Sequence, residues 1–194
     1  MKNMKKRVFI IHGWGGKPDE HWLPWLEEEL AKKGFEVHAL AMPNTDEPVI
    51  NEWVGHLAQE VGELDEQTYF VGHSVGCQTI IRYLETERGK KAGGCVFVAG
   101  WFKLKNLEEG EGPIAEPWEK NDIDYTKVRR VTNNVVVLNS SNDDFGAVEE
   151  NKKLFEERLG AKVQILEDRG HFTAADGITQ LPEALEAILQ FSNS

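Results

Sequence analysis

One stretch of nine residues constrains this chain more than any other: Tyr69-Phe70-Val71-Gly72-His73-Ser74-Val75-Gly76-Cys77. Tyr69 to Val71 reads as a short buried strand, and it runs straight into Gly-x-Ser-x-Gly. A helical pattern follows at once, with Ile80, Ile81, Tyr83 and Leu84 apolar and Arg82, Glu85 and Glu87 polar. A serine between strand and helix sits on a sharp, strained turn. Strand and helix pass so close there that positions 72 and 76 must lack side chains. The Ser74 hydroxyl then projects from the C-terminal edge of a parallel sheet, where open α/β sheets place their sites. The helix that starts there aims backbone N–H groups at the same point. Two glycines around a serine are common in turns and could merely pack a helix on a strand. The strand before and the helix after make the stretch a candidate nucleophile turn.

The rest of the chain supplies the sheet this turn needs. Arg7 to His12 is a continuous apolar run, the mark of a strand buried on both faces. It ends in His12-Gly13-Trp14-Gly15-Gly16, too rich in glycine for a helix. Trp22, Trp25, Leu26 and Leu30 lie at helical spacing, and Gly34 stops that helix. Phe35 to Leu40 is a second strand. Pro48 opens a helix whose apolar face carries Val49, Ile50, Trp53, Val54, Leu57 and Val61. Gln67 to Val71 leads into the serine turn, and its helix ends near Gly89. Gly94 to Ala99, Asn134 to Asn139 and Lys162 to Leu166 are three more strands. Helices follow the last two, with Leu154, Phe155 and Leu159 inward in one and Leu185, Ile188 and Leu189 in the other.

Strands alternate with helices throughout, so the expected fold is a three-layer α/β/α sandwich around a six-stranded parallel sheet. Residues 1–194 form one domain in this reading, without an internal repeat or a dividing linker. Gly100 to Thr132 lacks strong periodicity, and a connection that long inside a compact domain is expected to be a lid or cap.

Composition narrows the partners. The formal net charge is −11, which disfavours nucleic acid and anionic membrane surfaces, since both need basic patches. The basic start, Met1 to Arg7, precedes an apolar run of only Val8 to Ile11. That is too short for a signal-peptide core or a membrane span, so it reads as the lead into a strand. Cys77 and Cys95 make neither a metal motif nor a disulfide framework, and a reducing cytoplasm is the simplest home. Cys77 is expected to be a buried structural thiol, although the adjacent helix N-terminus could lower its pKa. No cofactor is called for.

A serine hydroxyl needs a base, and the base needs an orienting carboxylate. On a strand–turn–helix of this kind the chain order is serine, acid, histidine. His171, in Gly170-His171-Phe172, is the only histidine after Ser74, so it is the candidate base; His12, His21, His38 and His56 precede the turn, and His73 lies inside it facing the wrong way. The loop after the fifth strand offers Asp143 and Asp144. Asp143 is favoured because it lies nearer the strand end, leaving Asp144 to cap the next helix. Asp168 is a weaker candidate and reads as a solvated turn residue. Two N–H donors should face the developing oxyanion. These are the amide of Val75 and one from the loop after the first strand, Trp14 first and Gly15 next. Trp14, Trp101 and Trp118 are candidate pocket aromatics.

The same residues carry a resemblance. The segments His12 to Gly16, Asp19-Glu20-His21-Trp22-Leu23-Pro24-Trp25-Leu26, Ala41-Met42-Pro43-Asn44, Gly72 to Gly76, Asn142-Asp143-Asp144 and Gly170-His171-Phe172 resemble the small α/β-hydrolase serine hydrolase family of YdeN and retinoblastoma-binding protein 9. The likeness spans nearly the whole chain, and His-Trp-Leu-Pro-Trp is its most specific part. It implies a minimal α/β-hydrolase fold without the first two antiparallel strands, and a triad of Ser74, Asp143 and His171. The doubled acid at 143–144 departs from the family, which often has a proline or another non-acidic residue at the second position. The Leu-x-Cys-x-Glu motif to which retinoblastoma binding is attributed is absent here. The function expected is hydrolysis of a small ester, thioester or amide, with a small-molecule acyl substrate as partner. Acyl transfer to another acceptor, or binding on a hydrolase scaffold with little turnover, are the other readings the sequence allows.

Overall fold

The computed structural model describes residues 5–193. Six strands form one sheet: β1 (Arg7–Ile11), β2 (Glu36–Leu40), β3 (Thr68–His73), β4 (Gly94–Val98), β5 (Val135–Ser140) and β6 (Lys162–Leu166). Their order across the sheet is β2-β1-β3-β4-β5-β6, and every pairing is parallel. Of the basic start, residues 1–4 lie outside the described residues; Arg7 opens β1, and its guanidinium holds the carbonyls of Val61 and Glu63.

The continuous apolar strands build two cores, because side chains alternate across a sheet. Phe9, Ile11, Phe70, Cys95, Phe97, Val135 and Val137 join one core, beneath α2 (Ile50–Val61), α3 (Val75–Thr86) and α6 (Val148–Leu159). Val8, Ile10, Tyr69, Val71, Val96, Val98, Val136 and Leu138 join the other, beneath α1 (Leu23–Lys32) and α7 (Pro182–Ser192). Truncating a fully buried ring such as Phe97 to alanine would cost about 3–5 kcal/mol.

Strand order places the site. The chain steps from β1 outward to β2, then returns to the other side of β1 as β3. The C-terminal ends of β1 and β3 therefore flank the switch point, where a crevice opens in α/β sheets. The glycine-rich loop leaves one of these ends and the serine turn leaves the other.

Three local readings need correction. The helix after Pro48 starts at Ile50; Val49 is its N-cap and is 47% exposed, not part of the apolar face. The Pro48 carbonyl instead accepts a hydrogen bond from Trp118 Nε1. Residues 100–132 hold two helices, α4 (Gly112–Lys120) and α5 (Tyr125–Val131). Both are short, and Pro117 inside α4 blurs its periodicity. α5 packs on α3 and α6 with Val128 and Val131 buried, so this half of the segment belongs to the scaffold. Arg82, grouped with the polar positions of the helical pattern, is buried beneath α4, where its Nη2 donates to the carbonyls of Trp118 and Asn121.

Candidate active site

The turn after β3 has the strain its sequence implied. Ser74 adopts φ 52° and ψ −119°, a left-handed conformation costly for any residue with a side chain. A Cβ at Gly72 would sit 2.7 Å from the Cys77 amide nitrogen, and one at Gly76 would collide with the carbonyl oxygen of Ile11. The Ser74 amide donates to Val98 O at 2.9 Å, tying the turn to β4. Ser74 thus stands at the head of α3, and the Val75 amide donates to no described residue.

The loop after β1 is fixed just as closely. Gly15 N–H donates to Thr45 O at 2.8 Å, and Trp14 Nε1 donates to Asp46 O at 2.8 Å. This removes Gly15 as an oxyanion donor, whereas the Trp14 amide has no acceptor among the described residues. His12 holds the same region together. Its Nε2 accepts the Met42 amide and its Nδ1 bonds Gly13 O, while burial lowers its pKa.

Asp143 and His171 meet from the loops after β5 and β6. His171 Nδ1 lies 3.0 Å from Asp143 Oδ1 and 3.1 Å from Oδ2. Asp143 Oδ1 also accepts the amides of Phe145 and Gly146, at 2.9 and 3.2 Å. Burial alone would raise the carboxyl's pKa, but the bonds and charge of His171 and these two amides hold it below the ordinary value. Asp144 is exposed and does not cap α6, whose N-cap is Ala147 with no side-chain bond. Asp168 is exposed in a turn at φ 53°.

Polar side chains that sequence reasoning missed hold these loops. Asn142 Oδ1 accepts both Ser140 Oγ–H and the Gly170 amide, which joins the two loops. Asp176 Oδ2 accepts the amides of His171 and Thr173 and the Thr173 hydroxyl, at 3.0, 2.9 and 2.7 Å. Phe172, at φ 58° and fully buried, plugs the core next to His171. His73 sits against His171. Its Nε2 donates to the His171 carbonyl at 2.8 Å, and burial pushes its pKa down to about 3. It is therefore a neutral support. His21 lines the pocket as well, its Nδ1 accepting the Ala174 amide at 3.0 Å.

Ser74, His171, Trp14 and Trp101 line one pocket of 340 Å³. Leu104, Leu107 and Phe145 add apolar wall, and Lys17, His21 and Glu111 add polar groups. Trp118, expected in the pocket, is elsewhere: it is 2% exposed, packs edge-on against Trp53 at 6.3 Å, and belongs to the core. Besides Trp101, only residues 104–111 of the long segment reach the pocket. They are zipped to the loop after Asp143 through Lys105 N–H to Phe145 O and Asn106 Nδ2 to Asp144 O. Cys77 is fully buried, with Sγ 3.2 Å from Gly72 O, and burial pushes its thiol pKa up. Desolvation, the largest influence on the thiol, outweighs the backbone hydrogen bonds that lower it. Among the described residues no cluster of histidine, cysteine and carboxylates could hold a metal ion, and no helix is long and apolar enough to cross a membrane.

Comparison with known proteins agrees with this architecture. The YdeN protein of Bacillus subtilis (strain 168) is 30% identical over 190 residues, covering 97% of both chains. Its crystal structure superposes with a TM-score of 0.89 over 98% of this chain and 100% of that one. Serine hydrolase RBBP9 of Rattus norvegicus is 26% identical, covering 89% of each chain. Est1E of Butyrivibrio proteoclasticus, solved with ferulic acid, shares the fold at a TM-score of 0.71 and 15% identity, over 98% of this chain and 90% of that one. The serine hydrolase family model matches residues 8–190, and with the relatives above it establishes that this chain is an enzyme of the serine hydrolase family, built on an α/β-hydrolase fold.

Proposed function

We propose that this enzyme cleaves a small ester, thioester or amide through an acyl-enzyme on Ser74, with His171 as base and Asp143 as its orienting acid. The observation that carries the reading is the Asp143–His171 pair, bonded at 3.0 Å, with His171 sharing one pocket with a serine on a strained turn. Asp143 accepts from Nδ1, so the neutral imidazole presents an unprotonated Nε2 that can take the Ser74 proton and later return it to the leaving group. The amides of Trp14 and Val75 are the donors for the oxyanion. No Ser74–His171 hydrogen bond forms in the unliganded site, which is common where catalytic bonds tighten only around substrate.

A pocket of 340 Å³ lies near the lower end for ligand sites, which are about 300–1,000 Å³. Its Trp14, Leu104, Leu107 and Phe145 walls suit a compact, partly apolar acyl group. In this reading the whole chain acts as one catalytic unit roofed by residues 104–111. Both cysteines are free and buried, which fits a reducing cytoplasm.

The test is labelling by a fluorophosphonate probe, with the adduct located by peptide mass spectrometry, beside ester turnover by Ser74→Ala. The expected result is a single adduct on Ser74 and a loss of kcat of up to about 10⁶ in the variant. An adduct on another residue, or wild-type turnover by Ser74→Ala, would overturn the assignment.

A further inference from the structure

Trp101 makes a contact that pocket lining does not require. Its Nε1 lies 3.3 Å from Ser74 Oγ, and the ring is 2% exposed. An indole N–H can only donate, so Oγ is the acceptor, and the serine's own hydrogen stays available to His171. At 3.3 Å the bond is at the long end of its range, as resting catalytic bonds often are.

The surroundings hold the indole there. The chain leaves β4 through Ala99 at φ 49°, a strained conformation that persists only where neighbours over-determine it. Asn139 Nδ2 donates to Gly100 O at 3.1 Å, and Gln78 Nε2 donates to Trp101 O at 2.5 Å. Gln78 is fully buried one turn after Ser74 on α3. One helix thus grips Trp101 at its carbonyl and receives its indole at the serine. Packing an aromatic residue needs neither the clamp nor the strain.

We infer that Trp101 is a catalytic hydrogen-bond donor to Ser74 Oγ that assists deacylation, an inference that rests on Ser74 being the nucleophile. In that step a water oxygen bonds the acyl carbon and gives its proton to His171. The bond from the acyl carbon to Oγ then breaks, its electron pair stays on Oγ, and His171 returns the proton to Oγ. Negative charge grows on Oγ as it leaves, so a donor held there stabilises the transition state more than the acyl-enzyme. In acylation the sign reverses. Oγ gives electron density to the new bond, and the donor gives no help.

The experiment is stopped-flow kinetics with p-nitrophenyl acetate on wild type and Trp101→Phe, which keeps a ring and removes the N–H. Deacylation should slow on the order of tenfold. Acylation should stay within a few-fold of wild type, so the acyl-enzyme accumulates and the burst grows. Loss of packing alone would slow both phases together, and that result, or unchanged deacylation, would overturn the role of Trp101 while an acyl adduct on Ser74 still stands. No Ser74 adduct in wild type would instead remove the nucleophile itself. If Trp101→Phe does not fold, the Trp101 indole N–H proton resonance is compared in wild type and Ser74→Ala. It should move upfield when Oγ is removed, and an unmoved resonance overturns the inference.

Discussion

Ser74 and His171 face one pocket, but their backbones are held there by different forces. Around Ser74 the constraint is steric: Gly72 and Gly76 let β3, α3 and the end of β1 approach to within van der Waals contact. Around His171 the constraint is polar. Asp176, Asn142 and Ser140 gather the amides of Arg169, Gly170, His171 and Thr173 through side-chain oxygens. Packing of backbone on backbone leaves Ser74 almost no freedom. A loop held by hydrogen bonds can shift by fractions of an ångström, which suits the proposed role of His171, moving a proton between two partners. The comparison separates changes that unfold the enzyme from changes that only misplace its base.

The largest effect is expected on the steric side. Gly76→Ala drives a methyl group into the carbonyls of Ile11 and His12, backbone atoms that cannot rotate away. It should lower stability by about 3 kcal/mol, read from the urea midpoint, and turnover with it. A variant as stable as wild type would show that the turn can relax.

A smaller effect is expected on the polar side. Asp176→Ala leaves two amides and one hydroxyl without their acceptor and frees the His171 loop. We expect kcat to fall by up to about 100-fold through misplacement of the base, with the protein still folded by circular dichroism. Unchanged kcat would mean that Phe172, Asn142 and Ser140 suffice to anchor the loop.

Least effect should follow Cys77→Ala. The thiol is buried, with its pKa raised by desolvation, and lies beside the Gly72 and Val98 carbonyls, not in the pocket. Most activity should remain, and iodoacetamide should label the native enzyme slowly without inactivating it. Rapid stoichiometric alkylation with loss of activity would revive a cysteine mechanism.

What the sequence made legible follows the same division. The serine turn could be read because its determinants lie within nine residues and act through sterics. Chain order then pointed to the loops of Asp143 and His171, whose side chains meet across 28 positions. The supports could not be read. Asp176 is an ordinary loop aspartate until Gly170 and Thr173 fold against it. Arg82 on an exposed-looking helical position gave no sign that α4 would cover it, because α4 and α5 are too short and irregular to show a period. Trp118 was misplaced for the same reason: its core partners, Trp53 and the Pro48 carbonyl, are remote in sequence.

The central claim is that Asp143, and not its neighbour Asp144, orients the base. It is tested by ester turnover of Asp143→Asn and Asp144→Asn side by side. Asparagine at 143 can no longer fix the Nδ1–H tautomer of His171, and kcat should fall on the order of 10⁴. Asparagine at 144, on an exposed side chain, should stay within about twofold of wild type. The reverse ranking would move the acid to Asp144 and contradict the arrangement described here.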